Sequence, residues 1–252
     1  MRLLLVSDLH YTLKQFDWVH GVASEFDVVV IAGDLLDLVG VAPREAQAVV
    51  MLKYFERIQS RTRLVVSSGN HDLLSRNEFG EKTARWLLDA RRFGVPVDGD
   101  AVMADDDTLI TICPWWDGPR TRDMVGEQLA RDAARRPARW IWVYHAPPDQ
   151  SPTCWTGRKF FGDTDLVGWI EQYQPQLVLC GHVHQSPFRK GGSWVDRLGD
   201  TWVFNSGLQI GPVPTHIVVD TAVPQASWSS LDGSEQVRLD APLERPLVRT
   251  PT

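Results

Sequence analysis

Short runs of apolar residues alternate along the chain with longer stretches in which apolar positions recur every three or four residues. The short runs are Leu3 to Val6, Val28 to Ala32, Leu64 to Val66, Leu109 to Ile112, Trp140 to Tyr144, Leu177 to Cys180, Thr201 to Phe204 and His216 to Val219. Their β-rich character and their boundaries of Gly, Asp, Asn and Ser predict strands. Several are continuously apolar, as expected where helices cover both faces of a sheet or where two sheets stack face to face. Between them, Pro43 to Ser60 carries Ala46, Val49, Val50, Tyr54 and Ile58 at helical spacing behind an initial Pro. Glu78 to Phe93 repeats that pattern with Phe79, Trp86, Leu87, Ala90 and Phe93, and Gly94 reads as its stop. Thr164 is a candidate cap for a third helix containing Leu166, Val167 and Ile170, and Arg122 to Arg136 is a candidate fourth. The alternation predicts an α/β layered fold. A single domain over residues 1–232 is expected, followed by a Pro-rich, charged arm or loose tail over 233–252.

Composition narrows the choices. With 252 residues and 43% hydrophobic content the chain can bury a substantial core. A net charge of −6 argues against a long electrostatic footprint on nucleic acid, but leaves room for a small phosphorylated ligand held by local positive charge. Cys113, Cys154 and Cys180 are odd in number and far apart, so neither a disulfide framework nor a C-x-x-C site is expected. The apolar stretch at the N-terminus is too short for a signal-peptide core, and no run approaches the roughly 18 residues of a membrane span. The expected compartment is a reducing cytoplasm, with no membrane partner.

The chemistry lies where the strands end. "SDLH", "AGDLLD", "SGNHD", "YHAPP" and "CGHVH" each follow an apolar run, and five of the seven histidines sit in them. The carboxyl ends of strands form the functional edge of α/β folds, so these segments should converge. Taken singly, D-x-H or G-D is compatible with an ordinary turn, and a lone His145 with a buried structural histidine. His20, and His216 at the head of a strand, read as structural.

Taken in order, D-x-H, G-D-x-x-D, G-N-H-D, H and G-H-x-H resemble the motif set of the calcineurin-like metallophosphoesterase family, from Asp8 to His184, with no element missing. The resemblance implies a layered β-sandwich of two mixed sheets flanked by helices. It also implies two divalent metal ions, the first held by Asp8, His10 and His184, the second by Asn70, His145 and His182, with Asp34 bridging them. This mixed oxygen and imidazole donor set suits Mn, Fe, Zn, Co or Ni, and includes no thiolate. Asp37 corresponds to a supporting carboxylate behind the ligands. Two ions bring +4 against −2 from Asp8 and Asp34, so the pocket would be cationic within an acidic protein. The implied reaction is phosphoester hydrolysis by in-line attack of a metal-bridging hydroxide, with His71 as general acid and Asp72 orienting its imidazole.

A phosphodiester is the expected substrate. A phosphomonoester or nucleotide, a nucleic acid strand, and a scaffold without catalysis are the alternatives. Trp115, Trp116 and Trp155 could stack on a nucleobase or aryl group, with Arg120 or Arg158 reaching a phosphate. With 11 tryptophans in the chain, packing of loops against the core is the simpler reading of the aromatics.

Overall fold

The computed structural model describes residues 1–250; residues 251 and 252, the end of the expected tail, lie outside the described residues. The strands are β1 (Arg2–Val6), β2 (Val28–Ala32), β3 (Arg63–Ser67), β4 (Ser75–Arg76), β5 (Lys82–Thr83), β6 (Ala101–Met103), β7 (Thr108–Ile112), β8 (Arg139–Val143), β9 (Leu177–Cys180), β10 (Val195–Leu198), β11 (Thr201–Asn205), β12 (His216–Asp220), β13 (Gln225–Ser230) and β14 (Gly233–Arg238). The α-helices are α1 (Leu13–Val22), α2 (Arg44–Gln59), α3 (Pro119–Ala133) and α4 (Thr164–Tyr173).

Two six-stranded mixed sheets carry the fold. Their orders are β14-β13-β12-β1-β2-β3 and β10-β11-β9-β8-β7-β6, and a small β4-β5 hairpin stands apart. In the first sheet β1, β2 and β3 are parallel; in the second β7, β8, β9 and β11 are parallel. Their carboxyl ends therefore lie on one edge of each sheet.

Side-chain alternation sorts the central strands into layers. Leu3, Leu5, Val28, Val30, Ile110, Ile112, Ile141, Val143 and Leu179 fill the space between the sheets. Leu4, Val6, Val29 and Ile31 face outward onto Phe16 and Val19 of α1 and Met51 and Phe55 of α2. Leu109, Trp140, Trp142 and Val178 face the other way, onto Val125 and Leu129 of α3 and Leu166 and Ile170 of α4. Both faces of these strands are covered, which is why their sequences are apolar throughout. Each such aliphatic side chain contributes about 1.5–3 kcal/mol on burial. The result is the layered sandwich of two mixed sheets flanked by helices.

Several predicted boundaries move. Glu78 to Phe93 is not one helix: Asn77 Oδ1 accepts from the amides of Phe79 and Glu81 and closes the β4-β5 turn, leaving a 3₁₀ helix at Arg85–Phe93 that Gly94 ends in the left-handed region. That turn also carries Glu81 to the start of α3, where its carboxylate accepts from Arg120 N and Thr121 N. The cap of α4 is Asp163 rather than Thr164, accepting from Asp165 N at 2.8 Å and Leu166 N at 3.2 Å. Nor does a loose tail begin at 233, since Gly233–Arg238 forms the edge strand β14. Beyond it Leu239, Leu243 and Leu247 pack against the core between the sheets, and Thr250 pairs with Ser234. No helix among the described residues is long and apolar enough to cross a membrane.

Candidate metal centre

Six strand exits meet at one point, those of β1, β2 and β3 from the first sheet and β8, β9 and β11 from the second. Asp8, His10, Asp34 and His184 place one ligand atom each within 4.8 Å of one another, and Asp34, His145 and His182 form a second such group. Asp34 belongs to both. Its Oδ2 lies 3.3 Å from His145 Nε2, 3.9 Å from His10 Nε2 and 3.8 Å from His71 Nε2, while its Oδ1 accepts from His71 N at 2.9 Å. Asp8 Oδ1 lies 3.2 Å from His184 Nε2, which faces His10 Nε2 at 3.1 Å.

The backbone is bent to achieve this. Asp8, His10, Asp34 and His182 all have φ between 41° and 67°, the left-handed region that L-residues other than glycine seldom occupy. Such conformations cost of order 1–3 kcal/mol each and persist where surrounding structure enforces them, characteristically at functional sites. Here each turns a chain leaving a strand sharply back over the sheet edge. Gly69 meets a different constraint, close approach: a Cβ there would overlap Asp34 Oδ1 and come within 2.7 Å of His145 Nε2.

Neighbouring groups fix the ligand atoms. His145 Nδ1 contacts Ala32 O at 2.6 Å; a carbonyl only accepts, so this nitrogen carries a proton and Nε2 is the ring atom turned to the centre. Asp8 Oδ2 accepts from Ser7 Oγ at 2.5 Å, and Ser7 Oγ pairs with Ser206 Oγ. His182 N donates to both oxygens of Asp8. Asn205 Nδ2 donates to Thr153 O, Val183 O and Ser186 Oγ, and so holds the turn that carries His182 and His184.

The donor set calls for positive charge. Burial disfavours the charged form of His145, yet Asp34 and Asp8 pull its pKa up to about 9. Burial likewise works against the Asp34 carboxylate, but His145 and His71 hold its pKa far below the usual range. His182, half-buried and beside His145, is pushed down to about 4 and is a neutral donor at physiological pH. Asn70 Oδ1 and His145 Nε2 are buried with no hydrogen-bond partner. Such atoms are rare unless they have a ligand to meet, and cations would satisfy both. The residues present therefore fit divalent metal ions.

Two supporting roles predicted from the sequence are not borne by the geometry. Asp72 does not orient His71: its Oδ1 accepts from Leu35 N and Leu36 N, and its Oδ2 from Gly69 N, while His71 Nδ1 has no partner. Asp37 Oδ1 accepts from Val39 N, two residues along the loop that follows β2, rather than from a ligand imidazole. Of the aromatic and basic candidates, Trp115 and Trp116 line a cavity of about 240 Å³ beside His145 and His182, whereas Trp155, Arg120 and Arg158 do not. Trp155 donates to Lys190 O and packs on Phe160, Arg120 stacks on Phe79, and Arg158 donates its backbone N–H to Thr156 Oγ1 in an exposed turn. Phe161, which faces His182 at 5.1 Å, lines the cavity together with Tyr144 and Asp163, and the sequence pattern marked none of the three as a site residue.

The family model of the calcineurin-like phosphoesterases matches residues 1–186. No curated protein sequence matches the chain. Among solved structures the fold is similar to that of TT1561 from Thermus thermophilus, at TM-score 0.61 and 14% identity over 94% of this chain and 98% of that one. It is similar also to a dimetal phosphatase from Danio rerio, at TM-score 0.56 and 10% identity over 94% and 95% of the two chains. The purple acid phosphatase PPD1 from yellow lupin (Lupinus luteus) seeds aligns at TM-score 0.56 and 14% identity over 99% of this chain and 52% of its own. At these identities the likeness is one of fold; the family-model match and the ordered motifs assign the chain. It belongs to the calcineurin-like phosphoesterase family.

Proposed function

We propose that this metal-dependent phosphoesterase is a dinuclear enzyme that hydrolyses phosphodiesters. The observation that carries the reading is Asp34, a carboxylate shared by two groups of ligand atoms. Asp8, His10, Asp34 and His184 would hold one ion, and Asp34, Asn70, His145 and His182 the other. Two divalent ions held there would supply Lewis acidity and would bring the pKa of a water toward neutrality, the chemistry that hydrolysis of a phosphoester calls for.

The remaining work falls to the protein. The Ala32 carbonyl and Asp8 fix the imidazole and the backbone that aim His145 and His182 inward. His71, its backbone tied to Asp34 and its Nε2 directed toward the same carboxylate, stands where it can give a proton to the departing oxygen. His71 shares this flank with His10, their ring centroids 4.6 Å apart. Cys113, Cys154 and Cys180 are all free and buried, which supports a cytoplasmic location.

The test is to strip the purified protein, reload it separately with Mn, Fe, Zn, Co and Ni, and measure metal content alongside turnover. The substrates are bis-p-nitrophenyl phosphate, p-nitrophenyl phosphate, cyclic nucleotides and single-stranded DNA. Two ions per chain and a preference for the small diester are expected. Tight metal binding with no turnover of any ester would leave a scaffold without catalysis and overturn the proposal.

A further inference from the structure

The cavity beside the metal centre has a composition and a position that together restrict its occupant. Its walls are Trp115, Trp116, Phe161 and Tyr144, and its inner rim is His145 and His182. Trp115 lies 5.6 Å from the His145 ring and 5.1 Å from the His182 ring, and Phe161 is stacked on His182 with 25° between the planes. At about 240 Å³ it is smaller than the roughly 300–1,000 Å³ of sites for drug-sized ligands, so it suits one planar ring system rather than a whole nucleotide.

The polar atoms of Trp116 and Tyr144 are already committed. Trp116 Nε1 donates to Tyr144 Oη at 2.7 Å and to Asp163 Oδ2 at 3.2 Å, Tyr144 donates to that same oxygen, and Asp163 Oδ1 caps α4. The closed Trp116–Tyr144–Asp163 network stiffens the slot and puts a carboxylate behind it, which disfavours a second phosphate. Trp115 and Phe161 add π surface to the lining. Phe161 is half exposed, and Trp115 and Trp116, although packed against the core on one side, are not fully buried, so each ring keeps surface outside the core.

Position supplies the second restriction. His145 and His182 line the slot, whereas His10, His71 and His184 do not. If His71 attends the departing oxygen, the slot on the His145 and His182 flank faces the other substituent of phosphorus. A monoester has no such substituent; a diester does. Resting on the reading of His71 given under the proposed function, we infer that this slot binds a planar aromatic group that stays on phosphorus, an aryl ring or a nucleobase, and thereby selects diesters.

The test holds the leaving group constant. Metal-loaded wild type and Phe161→Ala are compared on phenyl p-nitrophenyl phosphate, thymidine 5′-p-nitrophenyl phosphate and methyl p-nitrophenyl phosphate, with p-nitrophenyl phosphate as the monoester. All release p-nitrophenolate, so differences report the retained group. The wild type is expected to favour the phenyl or the thymidine diester over the methyl diester in kcat/KM, the better of the two identifying aryl or nucleobase. In Phe161→Ala that ratio should fall by about fivefold or more, the low end of what loss of one stacking aromatic costs. Phe161→Trp should restore it, and Trp116→Phe, which keeps a ring but not the indole N–H, should lie between. A ratio near one in the wild type, or monoester turnover falling in step with the diesters in Phe161→Ala, would overturn the inference, the latter placing the leaving group in the slot. No turnover of any of the four esters would instead bring down the proposed function on which the inference rests.

Discussion

Replacing His71 with Ala separates a proton donor from a metal ligand, because the structure ties the residue to the centre through its backbone. The amide of His71 donates to Asp34 Oδ1 at 2.9 Å and survives the substitution. The imidazole belongs to neither ligand group, its Nδ1 has no partner, and its Nε2 stands 3.8 Å from Asp34 Oδ2. The variant should therefore keep its bound metal. Loss of a positioned general acid removes a factor of 10²–10⁴ in rate, which corresponds to about 2.7–5.4 kcal/mol of barrier.

The size of that loss should depend on the ester. A p-nitrophenolate departs with little help, so diesters of p-nitrophenol should lose less than diesters with an alkyl leaving group, which needs a full proton. The assay is steady-state kcat/KM on both classes with metal content measured on the same samples. His145→Ala is the contrast: its Nε2 is 3.3 Å from Asp34 and part of the second ligand group, and that variant should lose metal. If His71→Ala loses its ions, or if its rate falls equally for good and poor leaving groups, the division of labour between Asn70 and His71 is wrong.

Asp72→Ala should destabilise the metal-loaded protein by roughly 3 kcal/mol or more, since three amides, of Leu35, Leu36 and Gly69, lose a fully buried acceptor; urea unfolding measures it. An unchanged stability with an altered pH–rate profile would return Asp72 to the role of orienting His71. Gly69→Ala, whose Cβ would overlap Asp34 Oδ1, should lower metal occupancy even where the fold survives, as read by metal analysis and circular dichroism. Asp98 supplies a pH dependence: burial, reinforced by Asp100 against hydrogen bonds from Ser68 and the charge of Arg91, raises its pKa to about 7. Between its unfolded value of 3.8 and about 7 the folded form holds a proton that the unfolded form has released, so this group's contribution to stability falls as pH rises, by at most about 4 kcal/mol. Asp98→Asn should thus gain stability relative to wild type between pH 5 and pH 8 in urea titrations, and a constant difference across that range would refute the assignment.

What could be read from the sequence was chemistry carried by residue type. Asp8, His10, Asp34, Asn70, His145, His182 and His184 stand directly after apolar strands, and the parallel ladders bring those exits together. The sheets' interior was legible for the same reason, because β1, β2 and β9 are apolar at every buried position. Strands β13 and β14 were not, since "QASWSS" and "GSEQVR" keep the alternation of buried and exposed positions but fill it with Ser, Gln and Gly. The aromatic slot was only half legible. Phe161 reaches His182 because the segment from Pro148 to Asp163 closes on itself through a bridge between its ends, a loop path that no local pattern specifies.

The two acidic residues assigned supporting roles show where adjacency misleads. Asp37 and Asp72 both follow closely behind ligand residues, and neither touches an imidazole. The reason for Asp72 lies one exit away. Asp34 sits in the left-handed region with φ 54°, and the turn it makes points the amides of Leu35 and Leu36 inward, off the ladder of β2. Buried amides must find acceptors, and the third strand exit supplies one. A carboxylate next in sequence to a histidine is instead the clamp that lets Asp34 hold its strained conformation. By joining the second and third strand exits, it also sets the distance between the shared carboxylate and His71, the proposed proton donor.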